Sequence, residues 1–382
     1  MRSKCNPTIL LLIMPALCCL GQEPQPTVAA SSVPPDVRQI VLEMDSTVDV
    51  PSISNPFLAA PIMCGADGEI FFRTASSTAV ADLIAVSRDG KKIISFSRNK
   101  INDILNPSPI TFFTRGSEIY ILVRGSTREG KTLTLRRPDG STENQEVSSS
   151  REFIARFKAD GTYLGAVALE MPFRPFQIGV FPSGDFLIAG ATKDMQDTRV
   201  ALVKSNGQFQ RFVELKDDIR LRSQSDDETN ASSSALPRTG KHFGDGFLEA
   251  AQISSIVSDG PNLLLVRTGQ RVPVFSISPG GEAKAIRLDT PDGYNLWDLR
   301  TTRDLWIALY THRLAEGAGV EFSSMAIDPK TGKALEVYSY PKFPGFGLAC
   351  SDGIQFSFLV RDGDTLRIVK LISSHRASEK KP

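Results

Sequence analysis

The stretch FQIGVFPSGDFLIAG (Phe176–Gly190) sets two apolar runs around a tight Pro-Ser-Gly-Asp turn. Two β-favouring runs separated by a short Gly turn read as a hairpin of two strands. The unit recurs. It stands earlier as APIMCGADGEIFFR (Ala60–Arg73) and ITFFTRGSEIYILVR (Ile110–Arg124), and later as ISSIVSDGPNLLLVR (Ile253–Arg267). It ends the series as LWDLRTTRDLWIALY (Leu296–Tyr310) and FGLACSDGIQFSFLV (Phe346–Val360), which makes six copies. A second hairpin follows most of them, as LIAVSRDGKKIISFS (Leu83–Ser97), FIARFKADGTYLGAVAL (Phe153–Leu169) and VALVKSNGQFQRFVEL (Val200–Leu215). It continues as VFSISPGGEAKAIRL (Val274–Leu288) and SMAIDPKTGKALEVYSY (Ser324–Tyr340).

Six repeats of four antiparallel strands predict an all-β fold, a six-bladed β-propeller, in which radial closure leaves only short, protected sheet edges. A β-sandwich array is the competing architecture. The sixth copy lacks an outer strand, because DTLRIVKLIS (Asp364–Ser373) runs straight into the tail. VRQIVLEMD (Val37–Asp45) is available to supply it, so the last blade is expected to be completed by an N-terminal strand. The spacing of the copies is irregular, and two insertions, residues 125–150 and 216–250, account for the long intervals.

The turns SRDG, KADG and KSNG, with FPSGDFLIAG and the closing ACSDGIQFSFL and TLRIVKL, resemble those of the NHL-like six-bladed propellers of exported bacterial proteins. The resemblance covers roughly residues 37–373. It implies the fold more than an activity, since that broad group includes binding modules and some calcium-dependent hydrolases or lyases.

The chain has 382 residues, with 44 Lys plus Arg against 43 Asp plus Glu, a formal net charge of +1. That balance lacks the basic excess that drives phosphate-backbone binding, so nucleic acid is not expected as a partner. Arg2 and Lys4 precede a short apolar run, Ile9–Leu20, and Cys19-Leu20-Gly21 offers a small-x-small cleavage pattern. Residues 1–21 therefore read as a signal peptide, 22–36 as a Pro- and Ser-rich flexible tether, and 374–382 as a disordered basic tail. Lipidation at Cys19, giving a membrane tether by lipid only, is the competing reading of the amino terminus. Either way the domain is expected outside the cytoplasm: periplasmic, attached to the outer membrane, or secreted.

Cleavage would leave two cysteines. Cys64 in PIMCGADG and Cys350 in GLACSDG occupy equivalent places at the ends of the inner strands of the first and last blades, which ring closure makes neighbours. They read either as a disulfide stapling the ring or as two buried thiols.

Motifs of chemistry are sparse. The three histidines are His242, His312 and His375, and there is no HExxH, CxxC, EF-hand, G-x-S-x-G, P-loop or Rossmann pattern. No cofactor is expected, with calcium in the central channel as the exception, because its oxygen ligands can come from separate blades. Asn295 and Asp298 are candidates, with turn and cap roles as the alternative.

A four-stranded meander places the first and third turns of each blade on one face and the longer connections on the other. The tight Gly turns fall on the first face and are explained by turn geometry. The second face collects residues 125–150, Ala191–Thr198, 216–250 and Thr311–Phe322, and long loops on a rigid frame are where recognition usually sits. Arg174, Lys193, Trp297 and His312 are the expected binding residues there. The expected function is a non-catalytic, monomeric scaffold binding a protein, peptide or glycan of the cell envelope. A calcium-dependent hydrolase or lyase with its site at the channel mouth is the second reading.

Overall fold

A computed structural model describes residues 37–50, 57–75, 83–136, 140–194, 197–215, 253–267, 274–302, 304–313, 320–341, 343 and 346–373. The stretches read from the sequence as signal peptide (1–21), tether (22–36) and tail (374–382), the 216–250 insertion, His242 and His375 lie outside the described residues.

The chain is a six-bladed all-β propeller. Two strands, β1 (Arg38–Val41) and β2 (Glu43–Val50), precede the first blade. Blade 1 is β3 (Phe57–Cys64), β4 (Ile70–Ala75), β5 (Leu83–Val86) and β6 (Ile93–Phe96). Blade 2 is β7 (Leu105–Arg115), β8 (Glu118–Arg136), β9 (Thr142–Lys158) and β10 (Tyr163–Ala168). Blade 3 is β11 (Arg174–Val180), β12 (Phe186–Ala191), β13 (Thr198–Val203) and β14 (Phe209–Phe212). Blade 4 is β15 (Ile253–Asp259), β16 (Asn262–Arg267), β17 (Val274–Ile277) and β18 (Ala283–Ile286). Blade 5 is β19 (Asn295–Thr301), β20 (Trp306–Arg313), β21 (Val320–Ile327) and β22 (Ala334–Ser339). Blade 6 is β23 (Phe346–Ser351), β24 (Gln355–Asp362) and β25 (Thr365–Ile372), with β2 as its fourth strand.

Blades stack face to face around the axis, so their middle strands are covered on both sides. This is why β12 is buried at all six positions and why β16 reads as the run Leu263–Val266. The outer strands meet water, as Gln210, Arg211 and Phe212 of β14 do. Apolar layers fill every seam: one continuous cluster runs through blades 1 to 4, and three smaller ones lie between blades 4 and 5, 5 and 6, and 6 and 1. Phe72, Phe157, Phe186, Trp306 and Phe358 are among the largest side chains fully enclosed. Each such ring stabilises the fold by about 1.5–3 kcal/mol relative to exposure.

The closure differs in detail from the expectation. Blade 6 is completed by Glu43–Val50, paired antiparallel to β25 from Glu43↔Ile372 to Val50↔Leu366. The preceding residues, Arg38–Val41, instead join blade 5 as a fifth, parallel strand on β22. The chain passes from one blade to the next at Leu42, which is buried and donates its N–H to the Ser339 carbonyl at 2.8 Å. One uninterrupted β-favouring run therefore serves two blades, and no breaker residue marks the change.

The tight turns also do more than reverse the chain. In the third turn of each of blades 1 to 3, the Gly N–H donates to the first turn residue's carbonyl: Gly90 to Ser87, Gly161 to Lys158, Gly207 to Lys204. The residue before the Gly accepts the N–H two positions on, as Asp89 from Lys91, Asp160 from Thr162, and Asn206 from Gln208. That Asx geometry explains the SRDG, KADG and KSNG signatures. In addition, each glycine abuts the preceding blade. A Cβ on Gly207 would stand 2.0 Å from the Ala168 carbonyl oxygen of blade 2, and one on Gly90 2.4 Å from Val48 of the closing strand.

The 125–150 insertion is not a loop. β8 and β9 stay paired through it, from Ser126↔Ser150 to Arg136↔Thr142, beyond the last β7 pairing at Leu105↔Ser126. It forms a two-stranded arm.

Candidate functional site

Cys64 and Cys350 are joined as a disulfide, with their α-carbons 5.0 Å apart and 286 positions apart in the chain. The α-carbon distance lies inside the roughly 7 Å reach of a disulfide. The bond links the inner strands of blades 1 and 6. Beside it, the Arg88 guanidinium donates to the Gln355 side chain, and Gln355 donates to Asp45 at 3.2 Å, so all three elements of the closure meet here. A cavity of about 450 Å³ opens next to the bridge.

The four expected binding residues fall as two pairs on two non-adjacent blades. Arg174 is the exposed first residue of β11, and Lys193 is exposed in the turn after β12. Trp297, 49 % exposed, lies on β19 at a bulge between Leu296 and Asp298. His312, on β20, is half-buried; its Nδ1 lies 2.7 Å from the Gly293 carbonyl and its ring stacks on Tyr294 at 5.1 Å. Burial, then the neighbouring Glu321, push the Tyr294 phenol up to about 12. Tyr294 and Glu321 thus join His312 in a polar group that the sequence reading did not single out.

Asp298, a calcium candidate, is already engaged. Its Oδ1 accepts from Arg300 Nη1 at 2.7 Å and from the Leu299 N–H at 2.8 Å. Among the described residues, no group of three or more His, Cys, Asp or Glu side chains gathers at metal-binding distance.

Arg300 lies on the inner strand of blade 5. It is 6 % exposed, and its Nη2 reaches from blade 5 past blade 6 to the Ile62 carbonyl of blade 1 at 2.5 Å. A buried guanidinium needs both charge and hydrogen-bond partners; Asp298 with two carbonyls supplies them to Nη1 and Nη2, while Nε has none among the described residues. Next to this strut, at the ends of the inner strands, lies a cavity of about 350 Å³ lined by residues of blades 1, 2, 4 and 5. Arg115, from the blade opposite Arg300, is at its wall; Arg115 Nη1 donates to the Val180 carbonyl at 2.7 Å. Burial pulls the Arg115 pKa below its ordinary value. The cavity lies on the tight-turn face, to which the sequence reading assigned no function. A signal was available: in the six aligned copies only Thr114-Arg115-Gly116 and Arg300-Thr301-Thr302 bring an arginine to the end of the inner strand.

No family model matches this chain, and no curated protein does. Solved structures resemble it at low identity. The WD40 domain of Neurospora crassa Pan2 aligns at a TM-score of 0.43 and 9 % identity, over 88 % of this chain and 95 % of that one. A DUF4623 family protein from Bacteroides eggerthii aligns at 0.40 and 8 %, over 90 % and 77 % of the two chains. A GH43_1 enzyme from Xanthomonas citri, solved with xylose, aligns at 0.36 and 11 %, over 76 % and 94 %. The six-bladed architecture stands on this chain's own strand pairing.

Proposed function

We propose that this chain is an exported, non-catalytic binding scaffold that engages a protein or peptide of the cell envelope in extended form. The carrying observation is the β8–β9 arm. Beyond Ser126 its strands pair with each other alone among the described residues, at seven positions of β8 between Thr127 and Arg136, a reach of roughly 30 Å at about 3.4 Å per residue. Such a ribbon presents an unpaired row of N–H and C=O groups along each edge, the template on which an extended partner strand adds. Backbone recognition of this kind favours a polypeptide over a glycan. Arg174 and Lys193, on the neighbouring blade 3, would contribute charge at the arm's base, with Trp297 and His312 farther round the rim. Export is supported by the Cys64–Cys350 bridge, a bond that persists in oxidising compartments, and by the leader-like amino terminus. The NHL-like resemblance of the turns belongs to the same reading.

The test is affinity capture from envelope extract with the mature domain and with a variant in which residues 127–149 are replaced by Asn-Gly. A two-residue turn of that type suits the paired ends Ser126 and Ser150. A partner held by the intact protein and lost from the shortened, folded variant supports the reading. Equal capture by both forms, or none by either, ends it.

A further inference from the structure

We propose that the channel mouth on the tight-turn face is a binding site for a small monocarboxylate of sugar-acid size, held by the Arg115 guanidinium. The argument begins with charge. Two arginines line the cavity, and none of the described residues lining it is acidic. Arg300 is neutralised by Asp298 at 2.7 Å. Arg115 has no such partner: its cross-strand neighbour Glu118 is committed to Arg156 at 2.9 Å and to the Tyr120 hydroxyl at 2.7 Å. Among the described residues the one hydrogen bond Arg115 makes is from Nη1 to the Val180 carbonyl. The remaining donors of a planar five-donor fork are left to face the cavity or solvent, and a carboxylate is the anion whose two oxygens match that fork.

The single uncompensated positive charge selects a monoanion. A dianionic phosphate would leave one negative charge without a partner in a partly desolvated site. The other walls describe the rest of the ligand. Val257 offers an apolar edge, and Thr114, Ser258 and Thr301 bring hydroxyls. Thr301 donates to the Ser258 carbonyl at 2.6 Å, which fixes that hydroxyl, while Ser258 Oγ makes no bond among the described residues. A volume of about 350 Å³ suits a molecule with one ring. The site lies on the face opposite the β8–β9 arm, so it is independent of the arm and of what the arm binds.

The experiment is titration calorimetry of the mature protein with sodium D-glucuronate, pyruvate and acetate, using D-glucose and inorganic phosphate as comparators. A saturable heat is expected for glucuronate at millimolar concentration or below, with glucose and phosphate weaker by about ten-fold or more, as loss of a charge-assisted bond implies. Arg115→Gln is expected to weaken glucuronate by at least about ten-fold, and Arg115→Lys, which keeps the charge and loses the fork, by less. Thermal melts without ligand report whether each variant folds. If Arg115→Gln does not, the wild-type preference for glucuronate over glucose and phosphate decides alone. No saturable monocarboxylate, glucose bound as well as glucuronate, or a folded Arg115→Gln that binds like wild type would each overturn the site.

Discussion

On the tight-turn face Gly207 turns at φ +87°, with its α-carbon pressed against the Ala168 carbonyl of the neighbouring blade. At the tip of the β8–β9 arm, on the opposite face, Gly140 turns at φ +83° with no described residue within 4 Å of where a Cβ would stand. The local conformations are nearly the same; the tertiary consequences are not. On one face, turns are part of the seams between blades and carry the disulfide, the Arg300 strut and the Glu118–Arg156 pair. On the other, the elaboration stands clear of the ring. The contacts that close the ring gather on the tight-turn face, and the arm stands clear of them.

The largest expected effect tests the closure. Replacing both Cys64 and Cys350 by Ser removes a crosslink spanning 286 positions and should lower the unfolding free energy by up to about 4 kcal/mol, read from denaturant titration. A loss under about 1 kcal/mol would mean that the β2–β25 pairing and the apolar seam close the ring unaided, and the contrast between faces would weaken accordingly.

The glycine pair sharpens the comparison directly. Gly207→Ala adds a methyl group where only 2.0 Å is open and should cost about 3 kcal/mol or more. Gly140→Ala, strained by its positive φ alone, should cost about 1 kcal/mol. Equal costs in denaturant titrations would show that the inter-blade contact adds nothing to the turn's own strain.

The smallest effect is electrostatic. The Tyr120 hydroxyl, then Arg156, hold the Glu118 carboxyl below its ordinary value of 4.5. A depressed carboxyl pKa contributes stability above the unfolded value and loses it as pH falls through the folded one. Glu118→Gln should therefore cost up to about 1 kcal/mol at pH 7, discounted because the pair is partly solvated. The gap between wild type and variant should close as the pH drops below about 4.5. A gap that stays constant with pH would assign the effect to packing.

Much of the fold was legible because burial imposes a pattern. Strands covered on both faces, such as Phe186–Ala191 and Asn262–Arg267, must be apolar throughout, and Gly turns must separate them. Equivalence among the copies also placed Cys64 and Cys350 together. The candidate site was far less legible. Arg115 and Arg300 lie 185 positions apart in the chain and meet only because blades 2 and 5 oppose each other across the axis. Arg174, Lys193, Trp297 and His312 stand out in the sequence by residue type near long connections, a feature blind to which blades carry them.

The amino-acid sequence by itself determined the strand–turn repeat, the number of blades and the positions of the two cysteines, since these follow from local periodicity and turn chemistry. Only the tertiary structure decided that residues 38–50 serve two blades, that residues 126–136 and 142–150 form paired strands, and that one guanidinium is neutralised while its opposite is not. Those outcomes depend on which edges and charges the ring brings together, and distance across a ring is not encoded in any one segment.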